Sequence, residues 1–119
     1  MSTVSRILHV DASQREHGSV SRALTRELVE ALVAKYPDSR VIRRDLAAGM
    51  PLVDADWIAA NETPDDQRTP EQRRRLAFSD ELVAELRDSD VWVIGTPVYN
   101  FSLPPVLKAW IDQICRARV

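Results

Sequence analysis

The chain has 119 residues, 45% of them apolar, with 16 Lys and Arg against 18 Asp and Glu for a formal net charge of −2. That is enough for one domain with a modest core and short for a complete doubly wound sheet. The mixed charge argues against a nucleic-acid surface, and the lack of any long apolar run argues against a membrane span. Residues 1–6 lead straight into a strand-like run with no signal-peptide core, and a single cysteine, Cys115, excludes an internal disulfide. Both features fit a reducing, cytoplasmic setting.

In chain order, residues 6–10 (RILHV), together with Val4, read as a first strand, and residues 11–18 as a polar loop. Residues 19–36 have helical period. Val20, Leu24, Leu28, Ala31 and Leu32 form one apolar face, with Arg22, Arg26, Glu27 and Glu30 mostly off it. Pro37-Asp38 stops that helix. Residues 41–46 (VIRRDL) form a second strand, polar enough to sit near a sheet edge. Residues 47–66 carry no clean period and suggest an excursion with one helical turn around Trp57.

Thr69-Pro70-Glu71-Gln72 has the form of a capping box with proline just inside the start, and the helix it opens should run to about Arg87. Residues 91–94 (VWVI) are a short β-branched run read as a buried third strand. From Pro104, the residues Val106, Leu107, Trp110, Ile111 and Ile114 make one broad face of a last helix, expected to reach the chain end. Strands separated by helices pair in parallel through right-handed crossovers. The expected fold class is therefore α/β, a three-layer αβα sandwich around a parallel sheet.

Two loops carry the candidate chemistry. The first βα turn holds Ser13, Ser19 and Ser21 with Arg15 and His17, ahead of a helix N-terminus whose free N–H groups favour an anion. An ordinary capped helix is the competing reading. The sequence contains neither GxGxxG nor GxxxxGK[ST], so a Rossmann fingerprint and a P-loop are both excluded. The second loop, residues 96–101, sets Tyr99 and Phe101 around Asn100; planar side chains with backbone amides suit a heterocycle, and the competing reading makes both rings lids on the core. In strand order 2-1-3 both loops open at the same switch point, so one offers phosphate donors and the other a ring platform, as FMN needs.

Other titratable residues read as structural. His9 is expected to be a half-buried strand residue, Cys115 a core-facing helix residue, and Asp80, Glu81 and Glu85 a solvated helix face, with Asp80 a possible buried cap. Arg73-Arg74-Arg75 read as a solvated face, and Lys108 and Asp112 as an i,i+4 ion pair. Trp110 belongs in a core or an interface.

Pro97-Val98-Tyr99-Asn100-Phe101, followed by Leu103-Pro104, Leu107-Lys108 and Trp110-Ile111-Asp112, resembles the FMN-dependent NADH:quinone/azo reductases of the flavodoxin-like type. Ala12-Ser13-Gln14-Arg15, Ser19-x-Ser21, Arg44-Asp45-Leu46 and Phe78-Ser79-Asp80-Glu81-Leu82 carry the resemblance along nearly the whole chain. It implies a flavodoxin-like fold with FMN as cofactor. Ser13, Ser19, Val20 and Ser21 would hold its phosphate, and Pro97, Val98, Tyr99, Asn100 and Phe101 would frame its isoalloxazine ring. It also implies ping-pong hydride transfer from NAD(P)H to a quinone or azo compound, with no obligatory catalytic side chain. Separately, His9, His17 and Cys115 show no metal-ligand spacing, so no metal is expected.

Members of that family continue past the pair matched here by Arg116-Ala117 with a glycine and two more strands. Here Arg118 stands at the glycine's place, so the expectation is the N-terminal part of a single flavodoxin-like domain lacking the last two strands. An exposed third strand and a last helix short of packing partners would follow, favouring a homodimer through that strand's edge or burial of that edge under a rearranged helix. The alternative is a non-catalytic flavin-binding or dimerising fragment.

Overall fold

Two mostly apolar runs and one mostly charged run form one parallel sheet: β1 (Arg6–Asp11), the charged β2 (Arg40–Asp45) and β3 (Val91–Gly95), in the order β2-β1-β3. The structure, a computed structural model, describes residues 4–13, 19–97 and 103–117. Four helices accompany the sheet: α1 (Val20–Lys35), α2 (Ala55–Glu62), α3 (Pro70–Arg87) and α4 (Pro105–Ile114). Helix α1 lies over β1 and β3, whereas α3 and α4 pack together on the other side.

The alternation of β1 organises both layers. Leu8 and Val10, with Ala12 just beyond, face α3 and α4 and join Leu46, Leu82, Val106, Leu107 and Trp110 in the larger core. Ile7 faces α1 and meets Val29 and Val93 in a smaller one. The same α1 face continues along β1 into His9 and Asp11, where the layer turns polar.

Helix ends follow local chemistry. Thr69 caps α3 in a full capping box: its hydroxyl accepts from Gln72 N–H at 3.1 Å, and the Gln72 side chain accepts from Thr69 N–H at 3.0 Å. Asp54 caps α2 through Trp57 N–H at 2.8 Å. The excursion is thus two helical turns rather than one, with 3₁₀ turns at Leu46–Ala48 and Asp65–Gln67. Gln113 of α4 ties it down by accepting from Trp57 Nε1 at 3.1 Å and donating to Pro51 carbonyl at 3.1 Å.

Several expectations are corrected. Asp11 ends the first strand instead of opening the loop, and His9 is fully buried, not half-buried. Cys115 is exposed, because α4 ends at Ile114 and does not continue to the chain end. Asp80 is exposed and pairs with Arg116 at 2.6 Å, so it is no buried cap; Glu85 is largely covered, paired with Arg44. The last helix does not lack packing partners: Val106, Leu107, Ala109 and Trp110 are buried against α3 and the sheet.

The largest correction concerns α1. Val20, Leu24 and Leu28 are exposed at 73%, 60% and 52%, while Arg22, Thr25 and Val29 are the buried positions. The helix is rotated so that Arg22 and Thr25 reach the carboxylates at the strand ends; Val20, Leu24 and Leu28 are carried to the outside, while Leu32 still packs against the smaller core. The triplet Arg73-Arg74-Arg75 is exposed as expected, each arginine pairing with a nearby acid, and Lys108 meets Asp112 at 2.5 Å.

Candidate functional site

Parallel pairing brings the carboxyl ends of all three strands to one edge. Asp11 lies in register with Asp45 of β2 and Gly95 of β3. One residue further, Ala12 N–H donates to Gly95 carbonyl at 2.9 Å, so the loops leaving β1 and β3 start side by side. This is the carboxyl-end crevice where open α/β sheets bind ligands.

Of the residues named from sequence, Ser13, Ser19, Val20, Ser21 and Pro97 are described. Val98, Tyr99, Asn100 and Phe101 lie outside the described residues, as do Arg15 and His17. Ser13 is fully buried at the exit of β1. Ser19 is the N-cap of α1: its Oγ accepts from Arg22 N–H at 3.3 Å and lies 3.2 Å from Ser21 Oγ. Val20 and Ser21 occupy the next helical positions, whose N–H groups point out of the helix start without intrahelical acceptors. No acidic residue sits in this first turn. Pro97 is half-buried, its carbonyl accepting from Thr96 Oγ1 at 3.0 Å.

Beneath these loops lies a charge cluster that sequence reasoning missed. Asp11 and Asp45 are neighbours in register on one face, which would be repulsive if they stood alone. Arg22, itself buried, donates to Asp45 at 2.9 and 3.2 Å and stands 3.7 Å from Asp11. Arg43 donates to Asp11 at 2.9 Å and approaches Asp45 to 3.4 Å. Each guanidinium therefore bridges both carboxylates, and two charges of each sign balance. The hydrogen bond from Arg22 holds the Asp45 carboxyl below the usual carboxylate range against the opposing effect of burial, helped by Ala47 N–H. The buried His9 adds Nε2 at 3.2 Å from Asp11. With Arg26 these residues line a cavity of about 540 Å³.

Thr25 and Gly95 complete the cluster. Thr25 Oγ1 donates to Asp11 at 3.1 Å. A Cβ on Gly95 would come within 2.4 Å of Thr25 Cγ2 and 3.3 Å of the Asp11 carboxylate, so the strand end needs glycine for Thr25 to sit there. One sequence signal pointed toward the cluster: an arginine in a first helical turn, where the macrodipole disfavours a cation, needs a specific anionic partner.

No helix among the described residues is long and apolar enough to cross a membrane, and those residues hold no cluster of three or more His, Cys, Asp or Glu suited to a metal ion.

The chain is similar to an FMN-dependent NADH:quinone oxidoreductase of Hahella chejuensis, 49% identical over 116 residues that cover 98% of this chain and 57% of that protein. A protein of the same description from Thiobacillus denitrificans is 52% identical over 114 residues, covering 96% and 55%. The crystal structure of an azoreductase from Bacillus anthracis superposes with a TM-score of 0.85 at 26% identity, over 96% of this chain and 57% of that one. The chain thus spans somewhat more than half the length of the relatives it matches. A family model described as flavodoxin-like fold matches residues 5–119, and with the β2-β1-β3 parallel order this chain belongs to the flavodoxin-like fold family.

Proposed function

We propose that this chain binds FMN at the carboxyl edge of its sheet and serves an NAD(P)H-dependent reductase of quinones or azo compounds. The observation that carries the reading is the side-by-side start of the β1 and β3 loops at the Ala12–Gly95 hydrogen bond. The donor set fits a phosphate on one side: a serine-capped helix start, free of acidic residues, above carboxylates already neutralised by Arg22 and Arg43. On this reading Ser13, Ser19, Val20 and Ser21 bind the phosphate, while Pro97, Val98, Tyr99, Asn100 and Phe101 frame the ring. When FMN is bound it supplies the hydride chemistry between NAD(P)H and the acceptor; the chain's own part is to position and enclose it. Relatives named FMN-dependent NADH:quinone oxidoreductase support this reading. The single cysteine supports a reducing, cytoplasmic setting.

The partner reading is a homodimer joined along β3. Among the described residues β3 pairs only with β1, and Trp92 and Ile94 on its α3/α4 face are 55% and 41% exposed. Antiparallel pairing of two copies about Val93 would set Trp92 of one copy opposite Ile94 of its partner, a favourable cross-strand contact.

FMN titration followed by flavin fluorescence, with sedimentation on the same samples, tests both statements. Binding at about 10 µM or tighter, by a dimer, is the expected result, and NADH-dependent quinone reduction should accompany it. Absence of binding at tens of micromolar FMN overturns the cofactor reading, binding without turnover favours a non-catalytic flavin-binding chain, and a strict monomer overturns the β3 interface.

A further inference from the structure

We infer that Arg22 is the positioning residue of the phosphate loop: its guanidinium and its own N–H hold the two ends of the β1–α1 connection at fixed places on the sheet. This rests on the FMN reading above and goes beyond it, since Arg22 is not among the residues expected to touch the cofactor.

The geometry is specific. Arg22 Nη2 donates to Ser13 carbonyl at 2.5 Å, where the chain leaves β1. The Arg22 N–H donates to Ser19 Oγ, where the chain enters α1. The same guanidinium donates twice to Asp45 at the end of β2. One residue thus ties loop entry, loop exit and a neighbouring strand end. Arg22 is 7% exposed and its bond to Ser13 carbonyl is buried, where geometry is held more tightly than at a surface; its bonds to Asp45 and Ser19 are partly buried.

Placement of this cation is locally unfavourable, because the first turn of a helix is the positive end of its dipole. The two aspartates reverse that preference and leave the cluster neutral, which spares the helix start for an external anion. Lysine cannot replace this function. An ammonium has no planar fork and cannot meet a carboxylate and a carbonyl in the geometry a guanidinium allows.

The test uses the full 119-residue chain with FMN and riboflavin as paired probes, since only FMN carries a phosphate. Arg22→Lys should weaken FMN by about tenfold or more and change riboflavin by no more than about twofold. Arg22→Met paired with Asp45→Asn removes the cation and one carboxylate together. It should regain thermal stability relative to Arg22→Met alone, yet not regain FMN affinity. Equal weakening of both flavins, or FMN affinity that returns in step with stability, overturns the positioning role. Amide hydrogen exchange without flavin gives an independent reading. Ala12, Ser13 and residues 19–23 should exchange faster in Arg22→Lys than in the parent, while Leu8 and Val10 stay unchanged. Unaltered exchange at the loop ends overturns the inference. If the parent chain takes up no FMN, the cofactor reading fails alone, and exchange decides the role of Arg22.

Discussion

The two faces of β1 differ more than its alternating sequence suggests. Toward α3 and α4 the strand presents Leu8 and Val10 to a continuous apolar core with Leu82, Leu107 and Trp110. Toward α1 it presents Ile7, then His9 and Asp11, so that face is apolar at the amino end and ionic at the carboxyl end. The first face holds the sheet in place through area removed from water. The second spends its carboxyl end on charges whose value depends on every partner being present. A site at a sheet edge needs both: one face to fix the strands and one to aim groups at a ligand.

The largest effect should come from the apolar face. Leu82 is fully buried in the larger core, and Leu82→Ala should cost about 2–5 kcal/mol, read as a fall in the urea midpoint. A loss below 1 kcal/mol, on the order expected of a surface site, would show that this face does not carry the fold.

Next in size is Gly95→Ala on the ionic face, where the new methyl would overlap Thr25 Cγ2. A destabilisation of about 1–3 kcal/mol is expected from forced displacement. Thr25→Ser removes the clashing methyl and keeps the hydroxyl, so the double variant should recover part of the loss. A double-mutant cycle without coupling would remove the Thr25–Gly95 contact from the account.

Asp45→Asn probes the charge balance through pH. The carboxyl of Asp45 is held below its ordinary range by Arg22, so the folded state has the lower pKa. Its contribution to stability is complete above the ordinary aspartate value of about 4 and is lost as pH falls through the depressed value. Asp45→Asn should therefore flatten the loss of stability on acidification below about pH 4, measured by denaturation at a series of pH values. An unchanged acid limb would mean that the Arg22–Asp45 pair is not coupled to folding.

The smallest effect belongs to the exposed stripe of α1. Leu24→Glu should change stability by no more than about 0.5 kcal/mol, because Leu24 faces away from the sheet. A loss as large as that of a core residue would restore the apolar face expected from helical period alone.

Much of the fold was legible. The β-branched run at Val91, the proline at the start of each of the last two long helices and the Thr69–Gln72 box are local signals, and the structure uses each of them locally. The strand order and the proximity of the two loops also follow the reading from sequence. The charge cluster was not legible in the same way. Arg22 and Asp45 are 23 residues apart and Arg43 and Asp11 are 32 apart, so only parallel pairing in one register makes them neighbours.

What the sequence by itself determined is the kind and order of the elements, because period, caps and breakers act within a few residues of the backbone they shape. It also marked Ser13, Ser19 and Ser21 by their place around a helix start. What only the tertiary structure decided is sidedness: α1 turns Arg22, Thr25 and Val29 inward and leaves Val20, Leu24 and Leu28 outside. The physical reason is that helical period alone leaves two faces of α1 to set against the sheet, one with Val20, Leu24 and Leu28 and one with Arg22, Thr25 and Val29. The carboxylates of Asp11 and Asp45, brought together by register across two strands, choose between them.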